Sequence, residues 1–315
     1  MRSLALVVSV LLGPVAAEAA QCEANTWRMA APLPAERTEV TAATDGSRIF
    51  VAGGMAPDPA TDLVSVYAYN PQADSWSTLA ALDRDVNHTG LVVLAGKVYV
   101  VGGYEAPDNR PTARVRAIDI ASGEVRDVAP LPTPRGALAA VVLDGRIHAI
   151  GGTTERSVGT HEVYDPASDS WSEAAPMQVP RNHIAAAVWG GRIHVFGGRD
   201  EQTFLLDAGE AYDPATDSWS PIAPLPTGRS GIGAALAHGR IIVLGGEVGG
   251  AAGYTFPQAE AYDPAADAWS QLAPMPTARH GLGVAAIGDE VFSIAGGPQP
   301  GLTVSRVNEV LCARR

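Results

Sequence analysis

The chain has 315 residues, 46% of them hydrophobic and 18% charged, which is enough apolar material for a large core and rules against wholesale disorder. A formal net charge of −12 excludes the basic surface that nonspecific binding to nucleic acid, or attachment to an anionic membrane, requires. The 34 glycines and 24 prolines point to many turns between short strands rather than to long helices.

The first element in chain order is a leader. Arg2 supplies a positive start, Leu4 to Leu12 form an apolar stretch, and Ala17-Glu18-Ala19 is a small-residue cleavage signal. We therefore expect a secretory signal peptide over residues 1–19, a folded domain over residues 20–315, and a secreted or periplasmic location. Gln21 stands before Cys22 where a lipoprotein signal has a small residue, so no lipid anchor is expected. The apolar stretch is too short to span a bilayer, and nothing later approaches the roughly 18 apolar residues that a span needs, so no membrane insertion is expected.

After the leader the chain repeats. Gly-Gly pairs stand at Gly53-Gly54, Gly102-Gly103, Gly151-Gly152, Gly197-Gly198, Gly245-Gly246 and Gly296-Gly297, spaced by 49, 49, 46, 48 and 51 residues. Each follows an apolar run such as IFVAGG, VYVVGG or IIVLGG. Before each run lies a stretch rich in Ala and other small residues, then a tight turn such as Asp45-Gly46, Asp144-Gly145 or Gly190-Gly191. Such turns need positive φ, so each repeat opens with a β-hairpin whose first strand is slim enough to crowd around an axis. Downstream come Tyr69-Asn70-Pro71, Tyr164-Asp165-Pro166, Tyr212-Asp213-Pro214 and Tyr262-Asp263-Pro264, each Tyr followed seven residues later by Trp76, Trp171, Trp219 or Trp269. The Asx-Pro step is a turn, and the aromatic pair are bulky strand residues fit to pack between sheets.

This combination of glycine pair, Tyr and Trp resembles the kelch repeat, over about residues 22 to 315. The resemblance implies an all-β, six-bladed propeller with four antiparallel strands per blade. Two departures stand out: Ile118 and Val125 replace Tyr and Trp in one repeat, and Leu311 replaces the last Tyr. Trp27-Arg28-Met29 matches the last strand of a repeat although it begins the domain, and Asn308 to Cys312 matches a third strand. The N-terminal strand is therefore expected to complete the sixth blade. In that register Cys22 and Cys312 fall on neighbouring repeat positions, and a disulfide between them is expected in an oxidising compartment.

Candidate chemistry lies in the loops at one mouth of the channel, where connections between blades meet the loops that follow Gly-Gly. Ten residues after each Trp position stand Arg37, Arg135, Arg181, Arg229 and Arg279, with Val86 in the odd repeat. Five guanidinium groups at equivalent places form either an anion-binding collar or a repeated structural bond. Two positions further on, Glu39, His88 and His183 vary from repeat to repeat, as a site grafted on a symmetric scaffold does, and they carry acid–base chemistry near neutral pH. Asn182 and His280 stand one position earlier and join the ligand-binding candidates. His280 is out of step with His88 and His183, and on a strand it points the other way, which argues against a three-histidine metal site. His148, His194 and His161 read as packing or strand-end residues. Loops 55–64, 104–114 and 247–258, with Arg199 and Glu247, are expected to shape specificity. No phosphate loop, zinc motif or nucleophile elbow is present, so no cofactor is expected.

The resemblance implies a recognition scaffold that binds a protein or carbohydrate ligand at the channel mouth, without nucleic acid. An enzymatic alternative comes from secreted bacterial kelch propellers similar to this chain in size and leader, which interconvert anomers of sialic acid. In that alternative Glu39, with His88 or His183, supplies base and acid. The copper-oxidase branch of kelch-like propellers uses a Cys in its cofactor chemistry, and here both Cys are expected in the closure.

Overall fold

A computed structural model describes residues 22–249 and 252–314; the expected leader lies outside them. Among the described residues the regular elements are all strands; they form six four-stranded antiparallel sheets, the blades, and two smaller sheets in the loops, one of three short strands and one of two. Five of these blades cover residues 41–81, 90–128, 139–174, 185–222 and 233–271 in order. The sixth takes three strands from residues 283–312 and its outermost strand, Trp27–Met29, from the N-terminus. The innermost strand of each blade touches that of the next, and Gly283–Ile287 of the sixth returns to Thr41–Thr44 of the first, so the ring is closed.

Close approach at the axis explains the small residues of the first strands. A Cβ added to Gly233 would lie 2.4 Å from Cγ2 of Val284 in the next blade. The second strands carry the densest core: Ile49–Ala52, Ile147, Ile150, Ile193–Phe196 other than His194, and Ile241–Leu244 are buried essentially completely.

The Tyr and Trp of each repeat join one blade to the next. Tyr69, Tyr164, Tyr212 and Tyr262 sit opposite Trp76, Trp171, Trp219 and Trp269 in the strand register, and Ile118 sits opposite Val125 in the same slot of the second blade. Trp76, Trp171, Trp219, Trp269 and Trp27 each donate an indole N–H to a carbonyl of the preceding blade, those of Ala31, Ala129, Ala175, Ala223 and Ala273. Asp74, Asp169, Asp217 and Asp267 stand two residues before the Trp. Each accepts the Tyr hydroxyl of its own blade and the backbone N–H of one of those alanines.

The sixth blade reproduces these bonds across the chain closure. Trp27 faces Leu311, and Asn25 takes the Asp role by accepting the N–H of Ala273. Cys22 and Cys312 form the expected disulfide, with Cα atoms 5.8 Å apart.

His161, expected near a strand end with little meaning, is core. Its ring meets His148 through a 2.8 Å hydrogen bond and packs edge-on against Tyr212 of the next blade. Burial pushes His148 down to about 4 and His161 to about 3. A depressed imidazole leaves the native state fully stable above the unfolded value of about 6.5 and costs stability as pH falls toward the folded value, by up to about 1.4 kcal/mol per group per pH unit. The fifth blade carries Ile242 and Ala259 at these two places. Replacing the pair by His148→Ile with His161→Ala is expected to flatten the loss of thermal midpoint between pH 6.5 and 4.5, which melting curves across that range measure. An unchanged slope would assign the acid sensitivity to other groups.

Candidate functional site at the channel mouth

Each connection between blades enters the axis through one residue with left-handed backbone. These are Glu39, His88, Ala137, His183, Gly231 and Gly281, with φ between 51° and 67°. They hydrogen-bond in sequence around the channel. His88 N–H donates to Glu39, Ala137 to His88, His183 to Ala137, Gly231 to His183 and Gly281 to Gly231, at 2.8–3.3 Å, and Val40 closes the circle on Gly281. Left-handed backbone is free of penalty for Gly and strained for residues with a Cβ. Glu39, His88 and His183 nevertheless occupy the ring, which marks them for a role beyond the backbone circle. Gly281 leaves room for Glu39: a Cβ there would lie 2.7 Å from the Glu39 carboxyl carbon.

The expected arginine collar is not a ligand surface. Arg37, Arg135, Arg181, Arg229 and Arg279 are fully buried and point into their own blades. Arg229 donates to the carbonyls of Gly245, Thr227 and Val243 and lies 2.5 Å from Glu260. Arg135, Arg181 and Arg279 pair likewise with Glu162, Glu210 and Glu309. Arg37 lies over the ring of Tyr67 instead. The second blade inverts the pattern: Val86 replaces the arginine, Arg116 replaces the glutamate, and Glu105 and Asp83 supply the negative partners. Burial lowers the four Glu-paired guanidinium groups from their ordinary value while those carboxylates raise them.

The glycine pairs receive these connections. The N–H of Gly103, Gly152, Gly198 and Gly246 donates to the carbonyl of Arg135, Arg181, Arg229 and Arg279, and Gly296 donates to Arg37. The sixth pair is therefore Ala295-Gly296, one residue earlier than the sequence motif suggests, with Ala295 taking the left-handed place of a glycine. Gly297 then falls in the next slot, bridged to His280.

Above the ring, polar side chains converge. His88 Nε2 lies 3.2 Å from Glu39 Oε2, and His280 Nε2 lies 3.5 Å from Glu39 Oε1 and 3.6 Å from Glu247 Oε2. The alternation argument against His280 does not hold, because Gly281 bends the chain in left-handed geometry directly after it. Arg199 bridges the cluster, 3.0 Å from Glu247 and 2.7 Å from His183 Nε2. Asn182 serves His183 rather than a ligand: its carboxamide oxygen meets His183 Nδ1, and Asn87 holds His88 in the same way at 2.6 Å. Burial pushes both imidazoles below their ordinary value, His183 furthest, with Arg199 adding to the shift and Glu39 opposing it at His88.

Glu39, His88, Arg199, Glu247 and His280 line a cavity of about 440 Å³, with Phe204 and Leu302 on its apolar side. Below it a narrower cavity of about 140 Å³ runs into the channel, lined at its top by Glu39, His88 and His183 and further down by residues such as Ala42, Ala140 and Ala186. Phe204 and Leu302 carried no sequence signal, since their loops do not repeat.

A closed ring of six four-stranded blades defines a β-propeller, here with a polar cluster at one mouth of the channel. The family follows from comparison. A model described as the KLHDC2/KLHL20/DRC7 Kelch-repeats domain matches residues 87–297, and a Kelch motif matches residues 36–82. The chain belongs to the kelch-repeat family. It is similar to Kelch-like protein 24 of Rattus norvegicus, 30% identical over 112 residues that make up 36% of this chain and 17% of that protein. Kelch-like protein 35 of Mus musculus is 30% identical over 147 residues, 47% of this chain and 24% of that protein. Kelch-like protein terF of Aspergillus terreus is 36% identical over 75 residues, 23% and 16% of the two. The chain thus spans less than a quarter of the length of these relatives.

Proposed function

We propose that the chain is an exported recognition propeller that binds a carbohydrate ligand in the cavity at the channel mouth. The observation that carries this reading is the composition of that one cavity. Two carboxylates, two imidazoles and a guanidinium face a space of about 440 Å³ beside the exposed ring of Phe204. Small-ligand pockets combine a few convergent polar groups with apolar walls at about this volume. Planar charged groups suit sugar hydroxyls, and an aromatic face suits the C–H face of a pyranose. A flat protein partner would need about 800 Å² of surface, more than this cleft presents by itself. Export is supported by the Cys22–Cys312 disulfide, which persists in oxidising compartments.

The 3.2 Å contact between Glu39 and His88 favours a second reading, sugar mutarotation, in which one group takes and the other gives a proton. Proton-NMR on a panel of acidic and neutral monosaccharides tests both. Saturation transfer to a sugar, weakened about tenfold or more in Arg199→Ala, is the expected result. Silence across the panel at millimolar sugar would overturn the carbohydrate reading. Anomer exchange accelerated by the chain and lost in Glu39→Gln would make it a mutarotase.

A further inference from the structure

We propose that Glu39, His88 and His183 form a binding site for a first-row transition-metal dication such as Zn²⁺, with His280 beside it against the second Glu39 oxygen. The site lies in the neck between the two cavities, since Glu39 and His88 line both.

The tautomers carry the argument. The Asn87 amide is oriented by its Nδ2 donating to Asn109, which leaves Oδ1 to accept from His88 Nδ1–H. The Asn182 amide is oriented by donation to Ser157, whose hydroxyl is committed to Glu201, so Asn182 Oδ1 accepts from His183 Nδ1–H. His280 Nδ1 meets the carbonyl of Gly297 at 3.1 Å. All three imidazoles thus donate through Nδ1 to a carbonyl oxygen; His88 and His183 offer their other nitrogen to the neck, and His280 turns its Nε2 to the second Glu39 oxygen and Glu247. Metal-ligating histidines are oriented in this way, by an outer partner on the nitrogen that does not bind. His88 Nε2 and Glu39 Oε2, 3.2 Å apart, then need a positive charge between them, either a metal ion or the second proton of an imidazolium.

The geometry is close to a coordination shell. The ligand atoms of Glu39, His88 and His183 all lie within 4.8 Å of one another. Bond lengths of about 2.0–2.2 Å place ligand atoms about 3.3 Å apart, so side-chain rotations of about an ångström complete the shell. Imidazole nitrogens with one carboxylate select zinc or a neighbouring transition metal over calcium or magnesium. The His280 pocket is built for that ring: His280 is 1% exposed, and a Cβ on Gly297 would lie 2.4 Å from its Cε1. Arg199 is the competitor. Its guanidinium donates to His183 Nε2, and a metal ion displaces it toward Glu247 and Phe204, which it already touches.

The site shares Glu39 and His88 with the carbohydrate cavity, but its test uses the metal alone, so either reading can fail without the other. Tag-free, chelator-stripped protein is titrated with Zn²⁺ by calorimetry and with Co²⁺ by visible absorption. One ion per chain and the intense visible bands of a low-coordinate cobalt site are expected, with Glu39→Gln and His88→Ala each weakening Zn²⁺ by about 100-fold. Arg199→Gln is expected to tighten Zn²⁺ by about tenfold, a gain that no folding defect imitates. Metal-free melting curves confirm that each variant is folded. His238, paired with Asp289 on an outer turn, is the surface control, and His238→Ala is expected to leave binding unchanged. Absence of stoichiometric binding, equal affinity in His88→Ala, or loss only in His238→Ala would overturn the site.

Discussion

Arg229→Met is expected to lower the unfolding free energy by about 3–5 kcal/mol, among the largest single-residue effects in the chain. The guanidinium is fully buried and holds three carbonyls and the carboxylate of Glu260, itself 1% exposed. Methionine fills the volume but supplies no charge and no donor. Glu260 then keeps only the Thr227 hydroxyl, at 2.9 Å, as a side-chain partner in a site without water access. The cost is that of an uncompensated buried charge rather than the worth of the pair. The double variant Arg229→Met, Glu260→Leu removes both charges and is therefore expected to recover part of the loss. Urea unfolding of the two singles and the double measures the coupling. A single-variant loss below about 1 kcal/mol would mean that Glu260 finds another partner, and the pair would then be dispensable.

The same residues show how far the sequence could be read. The blades, their strand order and the closure were legible because Gly-Gly, Tyr-Asx-Pro and Trp recur with one period, and each has a local physical meaning as turn or packing residue. The Arg–Glu bond was legible only in half. The arginines recur visibly, but their partners Glu162, Glu210, Glu260 and Glu309 lie two residues before the Tyr position, inside the third strand of each blade. The signal lies within the chain itself: Val86 replaces the arginine in the one repeat that carries Arg116 in place of the glutamate. Reading both columns together would have moved the arginines from the channel to the core.

The candidate site was legible as residue types at the mouth, and Glu39, His88 and His183 do meet there. His280, a ligand-binding candidate, also lines the cavity; only its expected direction failed, because alternation along a strand assumes extended backbone and Gly281 breaks it. Phe204 and Leu302 belong to loops of unequal length, where no repeat register carries over.

Replacing both Cys22 and Cys312 by serine is expected to cost about 2–5 kcal/mol, and the loss should begin at the sixth blade. The two cysteines are 290 residues apart in sequence, so the bond closes nearly the whole described chain into one loop and removes a large share of unfolded-state freedom. The native side of the balance points to where opening starts. Trp27–Met29 is a three-residue edge strand, joined in sequence to the first blade rather than to the sixth blade that it completes. Without the disulfide its hold on the sixth blade is the ladder to Asn308–Cys312, with the Arg28–Glu290 ion pair and the bonds of Ala31 and Leu33 to Asn308 and Arg306 beside it, and its hold on the fifth includes the Trp27 and Asn25 bonds to Ala273. Every other blade is continuous in sequence and has no such weak joint. Hydrogen exchange in the variant should therefore rise first in Trp27–Met29 and Asn308–Cys312, with the fourth blade protected until global unfolding. Uniform exchange across all six blades would show that the ring opens as one cooperative unit. A midpoint that does not change on loss of the bond would show that the Trp27 and Asn25 contacts close the ring by themselves.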